Sequence, residues 1–137
     1  MEKYILDDDL QLLCIRASSF PEGVLAAHRQ LHGKFPEMGD RRYFGISRPE
    51  NGAIVYKAAA EALHPGEAEK LSCETFTLPK GEYISERIDN FMSDLPRIRK
   101  AFEQLLDDPR IDPNGYCVEM YLGLHDVLCM VRLDSSC

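Results

Sequence analysis

The sequence predicts an α+β domain in which a strand–helix–hairpin unit occurs twice with pseudo-twofold symmetry. This prediction depends on apolar runs of strand length, two amphipathic helix patterns and short turns, which recur in the same order in each half. We interpret residues 1–137 as a single domain, with half-repeats over about residues 10–61 and 72–133 joined by a polar linker at residues 64–70. We expect an antiparallel sheet with the helices on one face and a ligand cleft between the halves.

The first half begins with an apolar strand over residues 10–17 (LQLLCIRA). A Ser-x-x-Glu capping box at residues 19–22, with proline in the first turn, predicts the start of a helix. After a loop at residues 36–40, an Asn-Gly turn predicts a hairpin over residues 43–47 and 53–58. The helix has one apolar stripe, which consists of Val24, Ala27, His28 and Leu31.

The second half repeats this order. An extended segment at residues 73–84, in which Pro79 and Gly81 mark a bulge or an edge position, is followed by a helix that Asp94 caps and that ends at residues 107–109 (DDP). Two further strands, at residues 116–122 and 127–133, face each other across a short turn. The stripe of this helix consists of Leu95, Ile98, Phe102 and Leu105.

The composition argues against several classes of protein. Hydrophobic residues make up 45% and charged residues 28% of the 137 residues, which are ordinary values for a globular domain. No apolar run approaches the roughly 18 residues of a membrane span, and the N-terminus lacks the pattern of a signal peptide. The net charge of −7 would repel a phosphate backbone, and the repeated unit leaves no room for a separate recognition helix. We therefore expect no direct DNA binding and no membrane partner.

The cysteines and histidines favour structural roles. The five cysteines are widely spaced without a C-x-x-C pair, which is typical of reduced thiols and predicts a cytoplasmic protein. His28 and His32 have a spacing that can chelate zinc, but no third ligand is obvious from the sequence. Because His28 lies on an apolar stripe, we interpret it as a hydrogen-bonded core histidine. We predict neither a metal nor a cofactor.

Glu119 is the most informative residue, because it is a carboxylate in the middle of a predicted strand. Strand side chains alternate, so Glu119 shares one face with Cys117 and Tyr121. We predict that this face is turned away from the helices and that an apolar set lies under them, namely Tyr116, Val118, Met120 and Leu122. Such a carboxylate is either solvated or salt-bridged, or it serves a ligand or a reaction, and position alone leaves both interpretations open.

Aromatic residues occur in the predicted strands of both halves. Rings beside one carboxylate suit a planar, apolar or cationic small molecule, because they supply contact area and cation–π attraction. Ordinary sheet aromatics remain the alternative, since aromatic residues favour strands. The residues concerned are Tyr43, Tyr56, Tyr83 and Tyr121, with Phe44 and Phe76 nearby.

Four short motifs occur in a fixed order along the chain: YFGIS (43–47), E-x-F-x-L-P-x-G-E-Y (74–83), AFEQL (101–105) and YCVEMY (116–121). Together they resemble the gyrase-inhibitor-like small-molecule-binding domain, which also forms the effector-binding domains of AraC-type and multidrug-sensing bacterial regulators. The resemblance extends over nearly the whole chain. It implies an aromatic-lined ligand cleft with a strand glutamate at its floor, in the position of Glu119. The sequence departs from the usual Glu-x-Trp/Tyr-x-Pro pattern, because Glu-Met-Tyr-Leu-Gly stands there.

We therefore predict a stand-alone domain that senses or sequesters an apolar or cationic, effector-like or drug-like molecule. A link to transcription would require a partner regulator, and a homodimer is an alternative assembly. Glu119 is the predicted charge partner of the ligand. The predicted ring contacts are Tyr56, Tyr83 and Tyr121, with Tyr43, Phe76 and Phe91 as neighbours.

Two other functions stay open. In the first, the domain is a hydrolase of reactive small molecules that uses Glu119 as a general base, as the resemblance implies for some relatives. We rank it below binding because the sequence shows no second catalytic group of comparable clarity. In the second, the domain is a protein-interaction module of the gyrase-inhibitor type.

Overall fold

The computed structural model of the protein describes residues 2–35, 41–123 and 125–134. The chain divides into two compact units. The first unit comprises residues 9–78, and the second comprises the N-terminal residues up to Asp8 together with the chain from Pro79 onward. The loop predicted at residues 36–40 lies outside the described residues.

Strand β1 (Glu2–Leu6) belongs to the second unit, and the chain then enters the first. The elements of the first unit are β2 (Leu10–Arg16), α1 (Val24–His32), β3 (Tyr43–Glu50), β4 (Ala53–Glu61), α2 (Glu67–Leu71) and β5 (Glu74–Leu78). Its strands pair antiparallel in the order β3–β4–β2–β5. Helix α1 packs on one face of this sheet.

The elements of the second unit that follow are β6 (Gly81–Ile88), a 3-10 turn (Phe91–Ser93), α3 (Pro96–Leu106), β7 (Cys117–Leu122) and β8 (Asp126–Arg132). Together with β1 they pair antiparallel in the order β1–β6–β8–β7. A strand, a helix and a hairpin thus follow one another in each unit. This confirms the predicted α+β class and the duplicated order of elements.

The turn and the helix end that were predicted from backbone preferences lie where the sequence predicted them, whereas the predicted helix caps do not form. Asn51 and Gly52 adopt φ values of 53° and 81° in the β3–β4 hairpin, as predicted for an Asn-Gly turn. Helix α3 ends before Asp107, also as predicted. Neither predicted side-chain cap forms, however. The backbone N–H of Gly23 donates to the carbonyl oxygen of Ser19, so the Ser-x-x-Glu segment is a turn that precedes the helix.

The single extended segment predicted at residues 73–84 is wrong. It forms two strands, β5 in the first unit and β6 in the second, separated by Pro79 and Lys80. Pro79 has no N–H to donate, which interrupts the strand, and Gly81, with a φ of 140°, begins the next one. The predicted linker at residues 64–70 contains most of α2, because the Glu67 carboxylate accepts the N–H groups of Leu63 and His64.

A hydrophobic cluster lies between helix and sheet in each unit. Ala27 and Leu31 of α1 belong to the first cluster, and Ala101 and Leu105 of α3 belong to the second. Buried side chains also line the strand faces opposite the helices, including Leu12, Phe44, Ala59, Val118 and Met130. Among the described residues, Cys14, Cys73, Cys117 and Cys129 are free thiols. Within the same residues, no helix is long and apolar enough to cross a lipid bilayer.

Candidate functional site

Glu119 and Tyr121 form a hydrogen-bonded pair in the middle of β7. The Tyr121 hydroxyl donates to Oε1 of Glu119 over 2.6 Å, and both residues are half-buried. They can meet because residues two apart in a strand project on the same side. Tyr121 thereby fixes the direction of one carboxylate oxygen, so the charge of Glu119 has a defined position.

This pair faces α3, which corrects the predicted orientation of the strand. Cys117 and Tyr121, on the same side of β7 as Glu119, pack against the cluster that contains Ala101 and Leu105 of α3. Val118 and Met120 point to the opposite side, where they are only 1% and 7% exposed. Because both faces of β7 are covered, apolar alternation could not identify the face that contacts the helix.

Two thiols next to Glu119 show how little solvent reaches this part of the α3 face. Burial raises the pKa of Cys117 to about 11, and the charge of Glu119 adds to the effect. Cys129, which pairs with Glu119 across the β7–β8 hairpin, has a pKa of about 12 for the same two reasons, with a further contribution from Glu86. Both thiols therefore stay protonated at neutral pH.

Phe91 supplies an aromatic ring at this pair. Its ring centroid lies 5.7 Å from that of Tyr121, with a tilt of 40° between the planes. The backbone N–H of Phe91 donates to the carbonyl oxygen of His125, which holds the 3-10 turn against the β7–β8 hairpin. Thus three predicted site residues, Glu119, Tyr121 and Phe91, come together on the α3 face of the second unit.

Tyr56 and Tyr43 lie on the α1 face of the first unit, each beside a histidine of α1. The Tyr56 hydroxyl is 2.7 Å from Nε2 of His28, and the ring of Phe20 stacks on the Tyr56 ring at a centroid distance of 5.9 Å. The ring of His32 stacks on Tyr43 at 4.1 Å. Each tyrosine is therefore part of an aromatic group that α1 completes.

The sequence offers two interpretations here: His28 and His32 as a zinc pair, or His28 as a hydrogen-bonded core residue. The contact with Tyr56 confirms the hydrogen-bonded core interpretation of His28. Burial lowers the pKa of His28 to about 4, and the nearby His32 contributes in the same direction, so its imidazole is neutral at pH 7. The position of His28 on the apolar stripe was the available signal, whereas its partner, 28 residues away, was not readable from the sequence.

Phe76 and Tyr83 lie on the sheet faces opposite the helices. Phe76 pairs with Leu12, whose neighbour Leu13 pairs with Ala60 of the α1 face, so alternation turns Phe76 away from α1. Tyr83 precedes Ile84, which belongs to the cluster under α3, so alternation turns the Tyr83 side chain away from α3. Its hydroxyl donates to the carbonyl oxygen of Pro79 over 2.6 Å. The structure therefore places neither residue on the same face as the other predicted site residues of its own unit.

A groove of about 160 Å³ lies beside α3 in the second unit. Glu86, on the wall of the groove, lies opposite Cys129 in the β6–β8 strand pair. Glu119 lies opposite the same cysteine in the β7–β8 pair, so the two carboxylates flank one thiol on the α3 face. Glu86 was not singled out in the sequence, because nothing there places β6 two strands from β7. The groove is lined by Glu86, Ile88, Arg97, Lys100, Ala101 and Gln104.

Comparison with known proteins identifies the fold. No family model matches the sequence, and no curated protein sequence matches it. An integron cassette protein from the mobile metagenome of Vibrio cholerae superposes with a TM-score of 0.68 and 9% identity, over 97% of this chain and 95% of that one. A hydrolase from Listeria innocua gives a TM-score of 0.65 and 12% identity, over 97% and 90%.

The protein SAV2435, solved with tetraphenylphosphonium bound, gives a TM-score of 0.58 and 12% identity, over 99% of this chain and 96% of that one. At these identities the likeness to all three structures shows a shared fold alone.

Proposed function

We propose that the protein binds an apolar, cationic small molecule and that Glu119 is the charge partner of this ligand. The observation that carries the proposal is the half-buried Glu119 carboxylate, which accepts a 2.6 Å hydrogen bond from the Tyr121 hydroxyl, while the Tyr121 ring lies next to the ring of Phe91. A carboxylate in such surroundings interacts more strongly with a cation than a solvated one does, because less water screens the two charges. The adjacent rings suit an apolar cation, since aromatic faces attract positive charge.

Two further considerations support a lipophilic cation. The chain shares its fold with a protein solved with tetraphenylphosphonium, which is an aromatic cation. The sequence also resembles the gyrase-inhibitor-like domain, and we include that family in the proposal together with a sensing or sequestering role in the cytoplasm. In this proposal any effect on transcription passes through a partner regulator.

The proposed ligand contacts of the second unit are Glu119, Tyr121 and Phe91. The ligand roles of Tyr43, Tyr56, Phe76 and Tyr83 remain predictions from the sequence.

Titration calorimetry with tetraphenylphosphonium tests the proposal. Truncation of one partner of a hydrogen-bonded, buried charge pair typically costs about 2–5 kcal/mol, so Glu119→Gln should weaken the affinity at least about thirtyfold. Glu103→Gln is the matched control, since Glu103 is exposed on α3 and its loss changes the net charge equally. We expect this control to stay within about twofold of the wild type. Equal affinities of the two variants, or no binding by the wild-type protein, would contradict the proposal.

A hydrolase is the second candidate, and the short Tyr121–Glu119 hydrogen bond is the observation that favours it. A positioned carboxylate can accept a proton from water as that water attacks an electrophile. Turnover of an aryl epoxide by the wild type, abolished by Glu119→Gln while the substrate still binds, would support this function. Binding without turnover would support the sensing or sequestering role instead.

A further inference from the structure

Asp126 ties two connections together at one end of the sheet in the second unit. Its Oδ1 accepts a 2.9 Å hydrogen bond from the backbone N–H of Asn90. Its Oδ2 accepts a 3.0 Å hydrogen bond from Nη2 of Arg87. Asp126 is the first residue of β8, where it pairs with Leu122 at the end of β7. The connection from β6 to α3 is therefore hydrogen-bonded to the β7–β8 hairpin through one carboxylate.

The residue that this carboxylate holds has an uncommon backbone conformation. Asn90 adopts a φ of 53°, in the left-handed region, and it precedes the 3-10 turn that carries Phe91. A non-glycine residue persists in this region when surrounding contacts compensate for its cost. The hydrogen bond to Asp126 is such a contact, and together with the bond from the Phe91 N–H to the His125 carbonyl oxygen it fixes the point from which Phe91 projects.

From Phe91 the contacts lead directly to the proposed ligand site. The Phe91 ring packs on Tyr121, and the Tyr121 hydroxyl donates to Glu119. We propose that Asp126 is a positioning residue: by holding Asn90 it keeps Phe91 against Tyr121, and it thereby keeps the Tyr121 hydroxyl on Glu119. For ligand affinity this inference rests on the proposed function of Glu119, whereas the position of Tyr121 can be tested without any ligand.

The positioning role depends on the Asp126 side-chain oxygen that accepts the hydrogen bond from Asn90, and not on the negative charge of Asp126. The N–H of Asn90 is the main reason that the pKa of Asp126 is lowered, and Arg87 also contributes. Asparagine at position 126 would keep a side-chain oxygen for the Asn90 N–H but would lose the negative charge. Alanine would lose both. The two substitutions therefore separate positioning from simple attraction of a cation by a nearby charge.

The binding experiment compares Asp126→Ala, Asp126→Asn and Tyr121→Phe with tetraphenylphosphonium as the probe. Loss of one hydrogen bond of ordinary strength corresponds to about a three- to tenfold change, and we expect Asp126→Ala to weaken affinity by this factor. Asp126→Asn should stay within about twofold of the wild type. In a Tyr121→Phe background, Asp126→Ala should have no further effect, because coupled residues are not additive. An equal loss in both Asp126 variants would overturn the inference in favour of a charge effect.

A second readout needs no ligand. In protein with ¹³C-labelled tyrosine, the signal of Tyr121 is assigned by its loss in Tyr121→Phe, and we expect it to shift in Asp126→Ala but not in Asp126→Asn. An unchanged Tyr121 signal in a folded Asp126→Ala protein would overturn the inference. If Asp126→Ala does not fold, Asp126→Val, which also removes the acceptor and has a higher strand preference, replaces it with the same expectation. Failure of the wild type to bind the cation, with the expected tyrosine shift, would refute the proposed function and retain the positioning role.

Discussion

Protonation of His28 is expected to destabilise the first unit, because the folded protein holds this imidazole in its neutral form. Burial lowers the pKa of His28 from its ordinary value of 6.5 to about 4. Between these two values the unfolded chain binds a proton that the folded chain does not. The contribution of His28 to stability is therefore complete above about pH 6.5 and is lost as the pH falls toward 4.

The magnitude follows from the two pKa values. A pKa difference of one unit corresponds to about 1.4 kcal/mol. Integration from pH 7.5 to pH 5 gives a loss of about 2 kcal/mol in the free energy of unfolding, with a further loss of about 1 kcal/mol toward pH 4. The pKa values of the carboxyl groups of Glu67 and Asp108 in the folded protein lie near 2, so their contributions to stability fall only below about pH 4.5, outside the range from pH 7.5 to pH 5.

Urea unfolding of the wild type and of His28→Gln, at intervals between pH 8 and pH 5, measures this loss. Glutamine can still hydrogen-bond to the Tyr56 hydroxyl but does not titrate. We expect the free energy of unfolding to fall by about 2 kcal/mol more in the wild type than in the variant across this range. His32, whose pKa burial also lowers, is present in both proteins and cancels from the comparison.

Parallel pH profiles of the two proteins would refute this reasoning. So would an NMR titration in which His28 of the folded protein has a pKa close to 6.5. Either result would show that the Tyr56 contact does not exclude solvent from the imidazole.

Two further predictions concern other buried groups. Glu67→Gln should lower the free energy of unfolding by about 2 kcal/mol at pH 7, because it weakens charged hydrogen bonds between Glu67 and Arg41, whose side chains are only 11% and 12% exposed. Hydrogen bonding to Arg41 lowers the pKa of Glu67 to about 2, so denaturation at decreasing pH should show this difference closing between about pH 4.5 and 2. In the native protein at pH 8, iodoacetamide should alkylate Cys73 well before Cys14 and Cys129, since burial raises the pKa of the latter two thiols to about 12. Mass spectrometry of the modified peptides checks the order, and equal rates would contradict it.

Local patterns identified much of the fold from the sequence. The Asn-Gly turn, the apolar stripes of α1 and α3 and the end of α3 before Asp107 follow from backbone and burial preferences within a few residues. The caps at Ser19 and Asp94 were wrong because backbone carbonyl oxygens satisfy those helix starts instead. Strand β1 was missed because its five residues (EKYIL) are mostly exposed and form a strand only through pairing with β6.

In the candidate site, too, contacts within one strand follow from the sequence, whereas contacts between distant residues do not. That Glu119 and Tyr121 share a side of one strand is a consequence of strand geometry, so the sequence alone determined their pairing. The contacts of Tyr56 with His28, of Phe91 with Tyr121 and of Asp126 with Asn90 join residues 28 to 36 positions apart. Only the tertiary structure decided these contacts, and only it decided that Glu119 faces α3. The physical reason is that both faces of β7 are covered, so hydrophobic alternation has the same form for either orientation of the strand.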